Sequence, residues 1–130
     1  MAITTGGIFD TTGADNLVAG DYPGLVAKVF ELKDKGIIER GTVLGRGADG
    51  KYFVLGATQE SETEGEDPVA IVGPAAAIVA DTTTEDDDYV TAYVSGLFYR
   101  NLLLVADGYE LTEEDEYNLR LGGILLTDGI

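Results

Sequence analysis

The sequence predicts a β-rich α+β protein, a small single domain of short strands arranged as a sandwich or barrel. It adds one short C-terminal helix and an extended N-terminal arm. Three observations lead there. Glycine contributes 18 of the 130 residues, about twice the usual share, which suits many turns between short strands better than a helical bundle. Runs rich in Val, Ile, Thr and Tyr recur between these turns, as at Val90-Thr91-Ala92-Tyr93-Val94-Ser95-Gly96. Only one segment, near the C-terminus, carries a helix-start pattern. At 130 residues the chain is long enough to bury a core of Val, Ile, Leu and Ala without a disulfide or a metal.

Residues 1–24 are dominated by Thr, Gly, Asp and Ala, with scattered apolar positions at Ile3, Ile8, Phe9, Leu17, Val18 and Tyr22. So little can be buried here that ordering entropy is not offset, and the segment reads as an arm that orders only on docking. Pro23-Gly24 marks its end, and the folded domain is expected over 25–130. Leu25 to Leu32 reads as a strand, followed by the turn Lys33-Asp34-Lys35-Gly36. A β-hairpin follows: Thr42-Val43-Leu44, a glycine-rich turn from Gly45 to Gly50, and Lys51-Tyr52-Phe53-Val54-Leu55. Residues 57–67 hold five acids and form an exposed loop.

Residues 69–72 and 76–80 read as strands, the first buried because its apolar run is nearly continuous, with Gly73-Pro74 between them. A second acidic loop spans Asp81 to Asp88. Residues 89–99 are the clearest strand, and 101–105 should close the sheet or barrel. Thr112, followed by Glu113, Glu114, Asp115 and Glu116, places an N-cap before acids that the helix dipole favours, giving a helix over 113–121. Tyr117, Leu119 and Leu121 are expected to face inward, Gly122 to end the helix in a left-handed conformation, and 124–127 to return to strand. There is no internal repeat.

The formal charge is −16, from 24 acids and 8 bases. Such a surface repels nucleic acid and anionic membranes, so neither is an expected partner. Sixteen of the acids lie within 60–67, 81–88 and 107–116, while 42–56 and 89–106 are nearly free of them. The charge thus forms a solvated shell over an apolar frame, clumped rather than spaced as a DNA mimic requires. The absence of Cys fits a reducing cytosol. No Lys or Arg precedes Lys28, so the basic region of a secretory signal is missing. The longest apolar runs, 75–80 and 102–106, fall short of a spanning helix, and a soluble protein is expected.

With no His, Cys or Trp, imidazole and thiol chemistry are absent and the chain points toward binding. Gly45-Arg46-Gly47-Ala48-Asp49-Gly50 has the G-x-G-x-x-G spacing of a dinucleotide site, but a strand pattern follows it, so no helix dipole would meet a pyrophosphate and a hairpin turn is the better reading. Phe9-Asp10-Thr11-Thr12-Gly13 has one residue too many for the Asp-Thr-Gly loop of aspartic proteases, and there is no second copy. Glu85-Asp86-Asp87-Asp88 lacks the alternating pattern of a calcium loop and reads as a solvated charge run. No catalytic pair stands out among so many carboxylates, and no cofactor or metal is expected.

Five segments in order, Arg40-Gly41-Thr42-Val43-Leu44-Gly45, Gly50-Lys51-Tyr52, Asp67-Pro68-Val69-Ala70-Ile71-Val72, Tyr93-Val94-Ser95-Gly96-Leu97-Phe98 and Leu119-Arg120-Leu121-Gly122-Gly123-Ile124-Leu125, resemble the lambda-like bacteriophage head decoration proteins over residues 25–127. The resemblance implies a capsid cement protein with no catalysis. It would be made in the host cytoplasm and sit on the outer surface of the virion as homotrimers at three-fold and quasi-three-fold positions. It would bind the major capsid protein and hold the expanded head against internal DNA pressure. It implies further that the arm contacts the capsid protein, through Ala2, Ile3, Thr4, Thr5, Ile8, Phe9, Leu17 and Val18. The two acidic loops and the segment Gly73-Pro74 to Val79 depart from the family pattern.

The residues support part of this directly, because Ala2-Ile3-Thr4-Thr5 and Ile8-Phe9 could donate a strand to an exposed sheet edge. Two other classes compete. One is a phage-surface module for a host glycan or receptor, which would use exposed aromatics among the seven Tyr. The other is an enzyme working with carboxylates alone.

Overall fold

A computed structural model describes residues 17–59, 61 and 63–128. Nine strands and one α-helix follow in order: β1 Val18–Gly20, β2 Val26–Glu31, β3 Val43–Arg46, β4 Tyr52–Val54, β5 Thr58–Gln59, β6 Val69–Ala70, β7 Ala75–Val79, β8 Tyr89–Tyr99, α1 Glu113–Gly122 and β9 Ile124–Thr127. The β-rich α+β class with one short C-terminal helix read from the sequence is the one observed, and residues 1–16 of the expected arm lie outside the described residues.

β8 organises the molecule. Its first half pairs antiparallel with β2 (Lys28 opposite Ala92, Phe30 opposite Val90) and with β7 (Ile78 opposite Tyr93). Its second half pairs antiparallel with β1 (Val18 opposite Phe98) and parallel with β9 (Phe98 opposite Leu126). An eleven-residue strand hydrogen-bonded on both edges needs residues that tolerate burial on both faces. The sequence here is β-branched, small and aromatic, with no charge. The change of partners falls at Gly96, whose φ of 150° suits glycine. A Cβ there would lie 2.7 Å from a Leu25 methyl and 2.9 Å from the Phe98 ring.

The strands β2, β8, β7, β3 and β4 neighbour one another in that order and curl until their ends meet. Leu32 and Tyr52 form a parallel bridge, Lys33 N–H donates to the Tyr52 carbonyl at 2.8 Å, and the Phe30 and Tyr52 rings stack at 4.2 Å. Inside this curl lie Leu32, Ile38, Leu44, Tyr52, Ala77, Val79, Val90 and Ala92. The other face of the sheet carries a second core of Leu17, Val43, Leu55, Ala75, Ile78, Phe98, Leu119 and Ile124. Neighbouring residues of β3 and β7 thus enter different cores, which explains why Ala75 to Val79 reads as an unbroken apolar run rather than an alternating one.

β8 and β9 are parallel, so the chain must cross over between them, and α1 supplies the crossover. The Thr112 side chain accepts from Asp115 N–H while the Asp115 carboxylate accepts from Thr112 N–H, a complete capping box. Several expectations need correction here. The left-handed cap is Gly123, with φ of 113°, and Gly122 remains the last helical residue. Leu119 is buried at 1 % exposure, but Leu121 at 69 % and Tyr117 lie outside. On so short a helix the narrow contact with β7 and β9 takes only Asp115 and Leu119. Residues 101–105 do not form a closing strand: Arg100–Leu102 make a 3-10 turn, and only Leu104 bridges, to Thr42. Residues 69–72 are not a buried strand either, since β6 forms an exposed two-stranded ribbon with β5 and Val72 is solvent-facing.

The contrast on α1 is directly measurable by denaturant unfolding. Leu119→Ala is expected to destabilise by about 2–5 kcal/mol through lost burial and a residual cavity. Leu121→Ala should stay within about 0.5 kcal/mol of the parent protein.

Candidate docking surface

Of the residues expected to form a capsid-binding arm, Ala2, Ile3, Thr4, Thr5, Ile8 and Phe9 lie outside the described residues. Leu17 and Val18 correct the expectation. Leu17 is 4 % exposed and packs in the core beside Val43 and Phe98, and its carbonyl accepts the Tyr99 N–H at 3.1 Å. Val18 lies in β1 opposite Phe98. The folded body therefore begins at Leu17 rather than Leu25. The local cue, an isolated Leu-Val pair before Ala-Gly, is too weak to separate strand from arm, because the burial comes from pairing with a strand about eighty residues later.

Next to this entry point the chain presents an open strand. Asp21 to Leu25 loop outward with Tyr22 exposed, and β2 then runs back along β8. Every residue of β2 except Phe30 is exposed. Which of its backbone groups are unpaired follows from the ladder. Thr91 C=O accepts from Ala80 on the β7 side, so the Val29–Thr91 pair is of the non-hydrogen-bonded kind and the Val29 N–H and C=O point away from β8. Ala27 and Glu31 share that phase. Leu32 N–H, in the opposite phase, donates to Asp88, and Lys33 N–H, in the same phase, reaches Tyr52. The edge is thus closed by β4 at Lys33 and open from Ala27 to Val29 among the described residues. Val29 is 65 % exposed, and Lys28 has no ion-pair partner among the described residues.

The charged groups around this frame are structural. Arg100, at the end of β8, forks onto both Glu116 oxygens at 2.8–3.0 Å and also meets Asp128. This clasp ties β8 to α1 and to the residue after β9, and Glu116 holds the guanidinium above its usual value. Tyr109 donates its hydroxyl to Asp115, and burial first, then this carboxylate, raises the phenol. In the hairpin turn the Asp49 carboxylate accepts from Lys51 N–H and pairs with Lys33 at 3.1 Å. The backbone bond first, then Lys33, lowers its value from 3.8. The turn is therefore built as a hairpin, in accord with the reading of its glycines.

The acidic loop 81–88 is anchored as well. Thr83 Oγ1 accepts from Ile38 N–H and donates to the Gly36 carbonyl, and Lys35 meets Asp88 at 3.4 Å. Among the described residues no three His, Cys, Asp or Glu converge in a metal-binding arrangement. A cleft of about 230 Å³ opens between Leu32, Ile37, Tyr52, Val54, Ala57 and Ile71. A second cleft, of about 320 Å³, lies beside the Arg100 clasp. No helix among the described residues is long and apolar enough to cross a membrane. The chain matches no known protein-family description and no curated protein.

Two outcomes are expected from these contacts. Arg100→Lys loses the planar fork and should cost about 1 kcal/mol or less, because the pair is partly solvated, with the difference shrinking in about 1 M salt. Because the folded-state value of Asp49 lies below 3.8, its contacts add stability above that value and lose it as pH falls toward the lower one. Asp49→Asn should accordingly lower stability at neutral pH and flatten the acid limb of the stability–pH curve below about pH 4.

Proposed function

We propose that this protein is a structural capsid decoration protein. In this reading it binds the outer surface of a phage major capsid protein shell, as a homotrimer, and stabilises the expanded head against internal DNA pressure. The observation that carries the reading is the ordered set of five segments that resemble those of lambda-like head decoration proteins. Support comes from where those segments fall: in β3, at the β3–β4 turn, at β6, in the centre of β8, and across the α1–β9 junction. Four of the five thus belong to the frame around β8, so the likeness follows the folded body rather than scattered surface residues. An uncharged strand hub with its acids in peripheral loops suits a passive fastener.

The binding element in this reading is the segment before Leu17, with Ala2 to Thr5 and Ile8-Phe9 adding a strand to the capsid protein. Each arm alone is weak, and trimerisation supplies avidity, worth about 10² to 10⁴ over a single site. The acidic loops must then face solvent, away from the symmetry axis. The rival module for a host glycan draws on Tyr22, Tyr89 and Tyr117, which the body exposes.

The test is cosedimentation with matched immature and expanded capsids. A chain lacking residues 1–15 should remain folded by circular dichroism and lose capsid binding. Undiminished binding overturns the arm assignment, and binding to host polysaccharide but not to shells overturns the decoration reading. The cut must precede Leu17, since Leu17→Ala should by itself cost about 2–5 kcal/mol of stability.

A further inference from the structure

Both acidic loops are attached to one apolar cleft, the opening of about 230 Å³ beside the turn that follows β2. Leu32, Ile38 and Tyr52 belong to the buried core inside the curl and also line this cleft, so it is the mouth of that core. Ile37, 63 % exposed, and Ile71 extend the apolar lining outward. Hydrogen bonds fix the walls. In one wall Thr83 of the loop 81–88 donates to the Gly36 carbonyl and accepts from Ile38 N–H, at 2.7 and 2.8 Å. In another, Ile71 N–H donates to the Ala57 carbonyl at 3.0 Å, and β5 and β6 lead from there into the loop that carries Glu64, Glu66 and Asp67.

Those three acids, with Asp81, Glu85 and Asp86 of the other loop, are exposed and make no ion pair among the described residues. Lys35, the base that lines the cleft, is already met by Asp88 at 3.4 Å. From this juxtaposition we infer that the cleft seats one large apolar side chain of a basic polypeptide segment, whose Lys or Arg residues on both sides of that anchor meet the two acidic loops.

Size, lining and charge choose this occupant. The volume is below the roughly 300–1,000 Å³ typical of sites that enclose small molecules, and it suits a single Leu or Phe side chain. An apolar anchor placed there removes apolar surface of both partners from water. The free carboxylates, on a chain of formal charge −16, attract cations beside the anchor and reject acidic segments, a second copy of this chain included. Walls that are already hydrogen-bonded lose little freedom on docking. The inference concerns the free protein and does not rest on the decoration reading.

Titration with a labelled peptide, followed by fluorescence anisotropy and by amide NMR shifts, tests it. The probe is a short peptide with one central Leu between pairs of lysines, and two controls carry Ser for the Leu or Glu for every Lys. The Leu peptide should bind with a dissociation constant below about 1 mM and shift the Gly36, Ile38, Val54 and Ala57 amides. The Ser peptide should bind at least about tenfold more weakly, and the Glu peptide should not bind. The variant Glu64→Gln/Glu66→Gln/Asp67→Asn should weaken the Leu peptide about three- to tenfold and flatten its salt dependence between about 0.05 and 0.5 M. Ile37→Lys should weaken it at least about tenfold. Both variants change exposed positions and should unfold at the parent's denaturant midpoint, and a chain lacking residues 1–15 should bind like the full chain.

Absence of binding by the Leu peptide overturns the inference. Equal binding of the Leu and Ser peptides overturns it by reducing the contact to screened charge, and equal binding of the Glu peptide removes the basic partner. Binding that strengthens when residues 1–15 are removed overturns it by assigning the cleft to the chain's own N-terminal segment. A dimer seen by sedimentation that Ile37→Lys dissolves overturns it by assigning the cleft to a second copy.

Discussion

The structure depends on one long strand that finds partners on both of its edges. β8 meets β2 and β7 over its first half and β1 and β9 over its second, and every other major element is placed by that pairing. The exchange of partners requires a break in the ladder, which Gly96 provides where Leu25 and Phe98 close in on it. The break also turns the strand from the curled sheet around Leu44 and Val90 to the layer beneath α1. Two small cores result in place of one, and β3 and β7 are held between them. A side chain at Gly96 would press on Leu25 and Phe98 at the point where β8 passes from one core to the other.

The same constraint sorts the charge. Strands buried on both faces offer no position at which an ionised group keeps its water, and an unpaired charge there would cost several kcal/mol. The acids are therefore confined to loops and to the first turn of α1, where the helix dipole and the capping box use Asp115 directly. The few bases act mainly as local fasteners: Arg100 on Glu116, Lys33 on Asp49, Lys35 on Asp88, and Lys51 on Glu31 across the β2–β4 seam. The loop 81–88, which reads as a bare charge run, is held against Gly36 and Ile38 by the buried Thr83. That hydroxyl is joined by Asp87, which accepts from Thr84 N–H, and by Asp88, which meets Lys35, while Glu85 and Asp86 face solvent.

Legibility in the sequence followed the range of the interactions involved. Strand 89–99, the hairpin through Gly47–Gly50, the Thr112 cap and the return at 124–127 were readable because composition, turn chemistry and capping are encoded within a few residues. The errors arose where long-range pairing decides. Leu17 and Val18 look like part of a polar arm until Phe98 and Tyr99 are brought beside them. Ile71 and Val72 look like core until β6 is seen to pair only with the two-residue β5. Helical spacing alone cannot tell Leu119 from Leu121 when only one narrow line of α1 touches the sheet. The strand-donating pattern read at residues 2–9 lies outside the described residues, and the open edge of β2 was not legible because it depends on where β4 stops.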